Sequence, residues 1–336
     1  MKTIKKAISA FPILILLSHV TYAQDYQKLA QTGLQFLSVV SDAKAVAMAE
    51  AVTSIDMGSS SLFFNPAGMA EMETFFEMSG SANKWIADIN HYTFSMAIKP
   101  ENGEYGVFGF SLQSVNYGDL IGTIKTEDFK GYEDTGIFSL SAMAIGIGYA
   151  KALSNKFSIG GQIKYIHQDL GESILPAPLP DDSTNTKTVS NSRNPWAVDF
   201  GTRFKTGIKS LVFAMSVRNF SPEIKYIDEP FQAPLVFNLG ISMNLFDLMD
   251  KLSFDQKLFM SIDANHHQDK KEQLKIGFDY QVLNLLSIRS GYISGEDLSG
   301  FSFGFGVTQY GFSFDYSYTP LDLFDQVQRL TARLYL

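Results

Sequence analysis

The chain has 336 residues, no cysteine, two tryptophans and a charged fraction of only 18%. The missing cysteine excludes a disulfide scaffold and a thiolate metal site. The charged fraction is low against the ~25% of ordinary globular proteins. A formal net charge of -8 argues against nucleic acid as the main partner, because phosphate binding requires a basic surface. Because charged residues are so few, we expect that some large surface does not face water.

After residue 23 the sequence also lacks an apolar run long enough for a membrane helix, which takes about 20 residues. Residues 1–23 have the pattern of a secretory signal peptide, with three lysines, a short apolar run from Ala7 to Leu17, and Ala23 at the cleavage position. We expect this segment to be removed. The exported chain is then either soluble or a membrane-spanning barrel, because only helices and closed barrels satisfy the backbone in lipid.

From about Phe75 onward the hydrophobic pattern has a period of two, as in Leu274–Val282 and Phe301–Val307. Side chains of a strand point alternately to its two faces, so each run predicts a strand with one apolar face. The runs are about as long as tilted membrane-spanning strands, which take about 9–11 residues. We count fourteen of them, near 75–82, 90–99, 104–116, 136–151, 156–168, 196–206, 208–219, 234–246, 257–265, 271–282, 285–294, 300–308, 310–319 and 327–336.

The connections between these runs alternate in length. Those after even-numbered runs are mostly short and those after odd-numbered runs mostly long, which is typical of outer-membrane barrels. The connection over 247–256 is long against this rule, and it indicates either a small helix or a miscount by one hairpin. The prediction is therefore an all-β transmembrane fold, an antiparallel 14-stranded outer-membrane β-barrel over 75–336.

The segment over 24–74 does not alternate and forms a separate N-terminal helical or plug segment. An alanine-rich stretch follows Asp42, a residue type that caps helix N-termini. We predict one short helix over about 42–53. Because it precedes the barrel, this segment is expected either in the lumen or under the periplasmic mouth.

Three stretches, Gly33–Ser38, Asp42–Met48 and Ser60–Ala70, together resemble the N-terminus of the PorV/PorQ family. The shared element is the block Asn65-Pro66-Ala67-Gly68. These proteins are outer-membrane barrels of Bacteroidetes and relatives, similar in fold to the FadL long-chain fatty-acid channels. The family usually has Gly-Gly where this chain has Ala49-Glu50, which puts in doubt the close backbone packing that those glycines allow.

The resemblance implies a non-enzymatic accessory role in type IX protein secretion. PorV-like members are thought to carry cargo to an attachment complex, and PorQ-like members to hold a surface partner of it. The implied partners are therefore secretion-system or surface-attachment proteins, together with outer-membrane lipids. The alternative is a FadL-like channel for hydrophobic small molecules, which should have an apolar cavity and a lateral gap in its wall.

Two groups of residues are candidate sites for these roles. Asn65, Pro66, Ala67 and Gly68 have the composition of a turn, either a structural turn that seats the N-terminal segment against the wall or a hatch that moves. Two predicted external loops, 117–135 and 169–195, are candidates for partner binding or are passive surface loops. Their candidate contact residues are Phe129, Tyr132, Leu175, Pro176, Pro178 and Pro180.

Enzymatic and metal chemistry find little basis in the sequence. His266 and His267 are adjacent, and adjacent strand residues point to opposite faces, so they chelate one metal poorly. Acidic pairs such as Asp181-Asp182 lack EF-hand spacing. No nucleophile elbow and no nucleotide-binding glycine motif in a βαβ context is present. We therefore predict no catalytic residue, no metal and no cofactor.

Overall fold

The computed structural model describes residues 32–126, 129–176, 186–226, 229–249, 255–295, 300–321 and 326–336. The predicted signal peptide lies outside these residues. Within them the chain forms seventeen strands, β1 Phe76–Lys84, β2 Asn90–Ile98, β3 Val107–Lys125, β4 Tyr132–Ala152, β5 Phe157–Pro176, β6 Thr186–Arg193, β7 Trp196–Lys205, β8 Val212–Phe220, β9 Ile224–Lys225, β10 Pro230–Phe231, β11 Val236–Asn244, β12 Gln256–His267, β13 Gln273–Val282, β14 Leu286–Ile293, β15 Phe301–Gln309, β16 Phe312–Thr319 and β17 Val327–Tyr335.

The strands form a closed antiparallel barrel. Strand β1 pairs with β2 on one side and with β17 on the other, and β4 pairs with β5, so the ring has no open edge. Fourteen strands make the wall. Of the other three, β6 pairs only with the far end of β5, and β9 and β10 form a separate two-stranded pair. The predicted 14-stranded barrel is confirmed.

The barrel has two different ends. At the short-turn end, neighbouring strands are joined by connections such as 283–285 and 310–311. At the opposite, long-loop end lie the connections between β3 and β4, between β5 and β7, and between β8 and β11. The long connection after β11 contains a 3-10 helix, Leu245–Leu248, so the irregularity in the predicted pattern is a small helix and not a missed hairpin.

The two faces of each strand follow the period of two. In β15, Phe303 and Phe305 are exposed on the outer face, while Ser302 is buried in the lumen. In β16, Phe314 is exposed and Asp315 is buried. An apolar outer face with a polar interior is the arrangement that a lipid-facing barrel wall requires.

Three strands continue well past the predicted boundaries. Strand β3 reaches Lys125, β4 begins at Tyr132 and β5 reaches Pro176, so most of the predicted loops 117–135 and 169–195 is strand. The prediction of loops there was wrong for a physical reason. The β3–β4 extension is a two-stranded ribbon exposed on both faces, so its sequence needs no apolar face.

The N-terminal segment contains one short α-helix, α1, Ala43–Ala47. Its N-cap is Asp42, whose side chain accepts a hydrogen bond from the Ala45 N–H at 3.0 Å, but the predicted extent of 42–53 is too long. The helix ends because Ala49 and Glu50 have positive φ angles of 53° and 60°, a region that α-helices do not use. The remaining turns are 3-10 helices, Gln35–Ser38, Gly58–Phe63 and Pro66–Glu71. Within the described residues, no helix is both long and apolar enough to cross a bilayer.

Residues 32–74, here called the plug, lie inside the lumen. The backbone of the plug touches the wall where the wall has glycines. A Cβ added at Gly160 would lie 2.5 Å from the Pro66 carbonyl carbon, and one added at Gly291 would lie 2.4 Å from the Ala49 nitrogen. The glycines that permit close packing at Ala49-Glu50 are thus on the wall and not in the plug.

Wall glycines therefore offer a direct test of the plug contacts. Gly291→Ala and Gly160→Ala should each lower the free energy of unfolding by about 1–3 kcal/mol, because the added methyl groups collide with plug backbone. Gly80→Ala is the matched control, since its Cβ meets nothing within 4 Å. The measurement is the urea midpoint of purified protein in lipid vesicles. Equal midpoints for all three variants would contradict the packing described.

Candidate functional site: the plugged lumen

The plug runs through the lumen from one end to the other. Thr32 forms a parallel bridge with Gln232, a residue of the long-loop connection after β8. At the other extreme, Glu71 contacts Ser158 and Lys205, which lie next to the short turns before β5 and after β7. The chain then enters β1 at Phe76 on the short-turn side.

An apolar cluster fills the long-loop mouth. The plug contributes Leu34, Phe36 and Leu37, all buried. The Gln113 side-chain amide donates a hydrogen bond to the Phe36 carbonyl at 2.7 Å and so fixes this turn to β3. The wall and loops supply the other buried members, namely Val115, Ala142, Ala144, Ile166, Ala197, Ile224 and Ala233.

Stacked side chains cover this cluster on the long-loop side. The rings of Tyr226 and Phe231 stack at 5.3 Å with an interplanar angle of 12°, and the Arg193 guanidinium lies 5.2 Å from the Tyr226 ring centroid. The Phe231 ring in turn occupies the space that a side chain at position 33 would need, 2.3 Å from an added Cβ on Gly33. These side chains therefore cover the plug at Gly33 on the long-loop side.

A chain of alternating charges fixes the middle of the plug to the wall. Asp42 of the plug accepts a hydrogen bond from Arg333 at 2.5 Å, and Arg333 also pairs with Asp315. Asp315 contacts Arg289 at 2.5 Å, and Arg289 contacts Asp279 at 3.1 Å. All five side chains are buried, and a buried ion costs several kcal/mol unless it is paired. The wall charges thus depend on the plug for part of their compensation.

Two more carboxylates of the plug bind wall cations. Glu50 lies 2.7 Å from the Lys275 ammonium, and Glu71 lies 3.4 Å from Arg203 and pairs also with Lys205. Burial raises the pKa of Glu71, but the hydrogen bond from Lys205 and the charge of Arg203 outweigh it, and the pKa is lowered overall. Glu71 therefore holds the short-turn end of the plug in its charged form.

The Asn65-Pro66-Ala67-Gly68 block lies where the plug meets β5 and β7. The Asn65 side chain accepts a hydrogen bond from the Ala67 N–H at 3.1 Å and donates to the carbonyls of Thr53 at 2.9 Å and Thr202 at 3.1 Å. Pro66 is the first residue of the following 3-10 helix, where its missing N–H costs nothing. This geometry is that of a turn seated against the wall, while movement of the block as a hatch stays a prediction.

Cavities lie beside the plug. A vestibule of about 510 Å³ at the short-turn end is lined by charged groups such as Lys44 and Glu77 and by apolar groups such as Met57 and Phe259. Two smaller cavities of about 30 Å³ share Phe64 and have room for about one or two water molecules each. Apolar plug residues, among them Leu37, Val40 and Leu62, line one of these small cavities.

The candidate contact residues of the loops lie apart from the lumen. Phe129 is fully exposed at the tip of the β3–β4 ribbon and Tyr132 is exposed beside it. Leu175 and Pro176 end β5, where their backbones pair with β6, whereas Pro178 and Pro180 lie outside the described residues. Nothing in these positions tests a binding role.

Metal ligands are not brought together in the described part of the chain, where no group of three His, Asp or Glu side chains could hold an ion. His266 is exposed and lies 2.7 Å from Glu272. Sequence reasoning missed the buried charge chain. A signal was available, since Asp279, Arg289, Asp315 and Arg333 all occupy the non-apolar positions of alternating strands.

Neither a protein-family model nor a curated protein matches the chain. Among solved structures, the CymD monoaromatic hydrocarbon channel matches with a TM-score of 0.60 and 11% identity, over 88% of this chain and 97% of that one. The toluene transporter TodX of Pseudomonas putida matches with a TM-score of 0.57 and 14% identity, over 91% of this chain and 98% of that one. A FadL homologue of Pseudomonas aeruginosa matches with a TM-score of 0.51 and 13% identity, over 88% of this chain and 98% of that one. At these identities the likeness shows the fold, which is that of FadL-like outer-membrane barrels.

The ion pair between Asp42 and Arg333 can be separated from helix capping by two substitutions. Asp42→Ala should lower the free energy of unfolding by about 3 kcal/mol, because Arg333 loses one of its buried partners. Asp42→Asn should lower the free energy of unfolding by about 1 kcal/mol less than Asp42→Ala does, because asparagine still caps α1. Urea titration in lipid vesicles, followed by the fluorescence of the two tryptophans, measures both. An unchanged midpoint in both variants would contradict the role of the pair.

Proposed function

We propose that this protein is an outer-membrane conduit for small hydrophobic molecules, closed in the observed state by its plug. The observation that carries the proposal is the fold, shared over about nine-tenths of this chain with a monoaromatic hydrocarbon channel and a toluene transporter. The type IX secretion role implied by the N-terminal motifs gains no support from these similarities. The long-loop end then faces outward, because barrels of this kind have short periplasmic turns.

A series of apolar side chains along the plug supports a route for apolar solutes. It begins at the outer cluster with Leu34 and Phe36 and continues through Leu37 and Leu62 beside the small cavity. It ends at Met57 in the periplasmic vestibule. A solute that displaces these side chains exchanges one apolar contact for another, so the exchange costs little transfer free energy. Polar solutes would instead lose their hydration.

The sizes of the cavities support movement of one part of the plug. The two small cavities hold only one or two waters, so an aromatic ring cannot pass without displacing the segment around Leu37 and Phe64. The vestibule is already open enough for a ring. Movement is therefore required of the plug segment from Leu37 to Phe64, which includes Ser59, whereas the contacts of Glu71 at the inner end can stay.

A sideways exit is supported by an irregularity in the wall. The ladder between β7 and β8 shifts register between Val198 and Phe200. There the Asn219 N–H donates to the Asp199 side chain at 2.7 Å. A pocket of about 310 Å³ is lined nearby by Val217 and Phe237 of the outer face. The wall itself stays paired on both sides of this shift.

Uptake of radiolabelled toluene by a bacterial host that lacks other channels of this fold tests the proposal. The cysteine-free chain permits a matched pair of disulfide locks. Ser59→Cys with Ser95→Cys joins plug to wall, where the two hydroxyl oxygens lie 3.0 Å apart. Thr308→Cys with Ser313→Cys joins two wall strands, with oxygens also 3.0 Å apart.

Oxidation should reduce uptake at least several-fold in the plug-locked variant, and a reductant should restore it. The wall-locked variant should be unaffected in both states. Absence of uptake by the unmodified protein, together with absence of uptake of a long-chain fatty acid, would overturn the conduit.

A second candidate function is docking of secreted cargo or surface-attachment proteins, as the PorV/PorQ resemblance implies. The specific observation that favours it is the β3–β4 ribbon, whose exposed side chains include Ile121, Ile137 and Phe129. Exposed apolar groups of this kind are typical of protein contact surfaces.

Affinity capture from detergent-solubilised outer membranes tests docking. Phe129→Ser with Tyr132→Ser should abolish recovery of a partner, whereas Tyr310→Ser, at the short-turn end, should not. Deletion of residues 175–192, which carry the other candidate contact residues, tests that segment in the same way. If both variants recover the same proteins as the unmodified chain, neither the β3–β4 ribbon nor that segment is the docking surface.

A further inference from the structure

We propose that the plug is held at the cell surface by a latch, formed by Thr32, Gln35 and Asp269, whose opening uncovers the outer apolar cluster. The inference rests on the proposed function for the orientation of the barrel. It goes beyond that function because it names the group that controls the plug and the side of the membrane from which control is exerted.

The latch consists of three short hydrogen bonds, two of which end on the same oxygen of Asp269. The Thr32 hydroxyl donates to Asp269 Oδ2 at 2.5 Å, and the Gln35 side-chain amide donates to the same oxygen at 2.8 Å. The same Gln35 amide also donates to the Thr32 hydroxyl oxygen at 2.5 Å. Asp269 lies in the connection between β12 and β13, so the latch joins the outer end of the plug directly to the wall.

Further hydrogen bonds connect the neighbourhood of the latch to Gln232, next to Phe231. The Gly33 N–H donates to the Gln232 carbonyl at 3.0 Å, and the Gln268 side chain donates to the Gln232 side chain at 3.0 Å. Phe231 covers Gly33. Loss of the bonds to Asp269 therefore makes opening of the segment that carries Leu34, Phe36 and Leu37 more frequent, because fewer contacts hold it. The Gly33–Gln232 and Gln113–Phe36 bonds remain and limit the extent of the opening.

The latch is more accessible to water than the middle of the plug. Gln35 is exposed, whereas Asp42 and Arg333 in the middle of the lumen are buried. Hydrogen bonds exposed to water are exchanged for water contacts at small cost, while a buried ion pair is not. Local opening begins where contacts are weakest, so the outer end opens before the middle.

The charge of Asp269 strengthens the latch. Burial raises the pKa of Asp269, but the hydrogen bonds from Thr32 and Gln35 outweigh it and lower the pKa below its usual value. The carboxylate therefore stays ionised at neutral pH, and charge-assisted hydrogen bonds are stronger than neutral ones. Both donors use the same oxygen, so an amide oxygen at this position can still accept them.

Single-cysteine labelling of intact cells tests the latch without measuring transport. Leu37→Cys on the plug and Ala144→Cys on the wall line the same small cavity, so they are two independent reporters. A membrane-impermeant maleimide is added outside. Asp269→Ala should raise the labelling rate of both reporters roughly tenfold, because two exposed hydrogen bonds to the plug are lost. Asp269→Asn should give a rate between those of the unmodified protein and Asp269→Ala, because its oxygen still accepts but carries no charge.

Asp88→Ala is the matched control, since Asp88 is an exposed acid in the connection between β1 and β2 at the same end of the barrel. It should leave labelling unchanged. Equal labelling for Asp269→Ala and Asp88→Ala would overturn the latch, and so would labelling that appears only after the outer membrane is permeabilised. Because labelling needs no solute uptake, a working latch in a chain that takes up nothing would overturn the conduit alone.

Discussion

The need to pair every backbone N–H and C=O group inside a lipid phase governs this structure. A sheet meets that need only when its last strand returns to its first, as β17 does to β1. A ring of fourteen strands encloses more space than its own inward side chains fill, and in this chain many of those side chains are glycine or serine. The plug occupies the remaining space, and the small wall residues are what allow its backbone to approach.

The same enclosure explains why so many charges lie inside. Outer faces must be apolar, so polar groups of the strands can only point inward. Once inside, each ion must find a partner, and partners come from both the wall and the plug. Asp42 and Glu50 of the plug meet Arg333 and Lys275 of the wall for this reason. The plug therefore neutralises buried charges of the barrel wall and is bound to the wall by these ion pairs.

Strand periodicity made the wall predictable from sequence, because burial differs between the two faces at every second residue. Features without such a contrast were not predictable. The β3–β4 ribbon is exposed on both faces, so its strands were read as a loop. The helix over 42–53 was overestimated because alanine content predicts helix, whereas the φ angles of Ala49 and Glu50 are imposed by packing against the wall. The contacts between plug and wall join residues hundreds of positions apart, such as Asp42 and Arg333, and no local pattern records them.

Strand β17 has a further consequence for how the plug is held. It closes the ring, and it also carries Arg329, which donates to the Val40 carbonyl at 2.9 Å, and Thr331, which accepts from the Ala43 N–H at 2.8 Å. With Arg333, three alternate residues of β17 bind the plug between Val40 and Ala43. The strand that closes the ring is thus also a strand that holds the plug, and a barrel with an empty lumen would lack these contacts to β17.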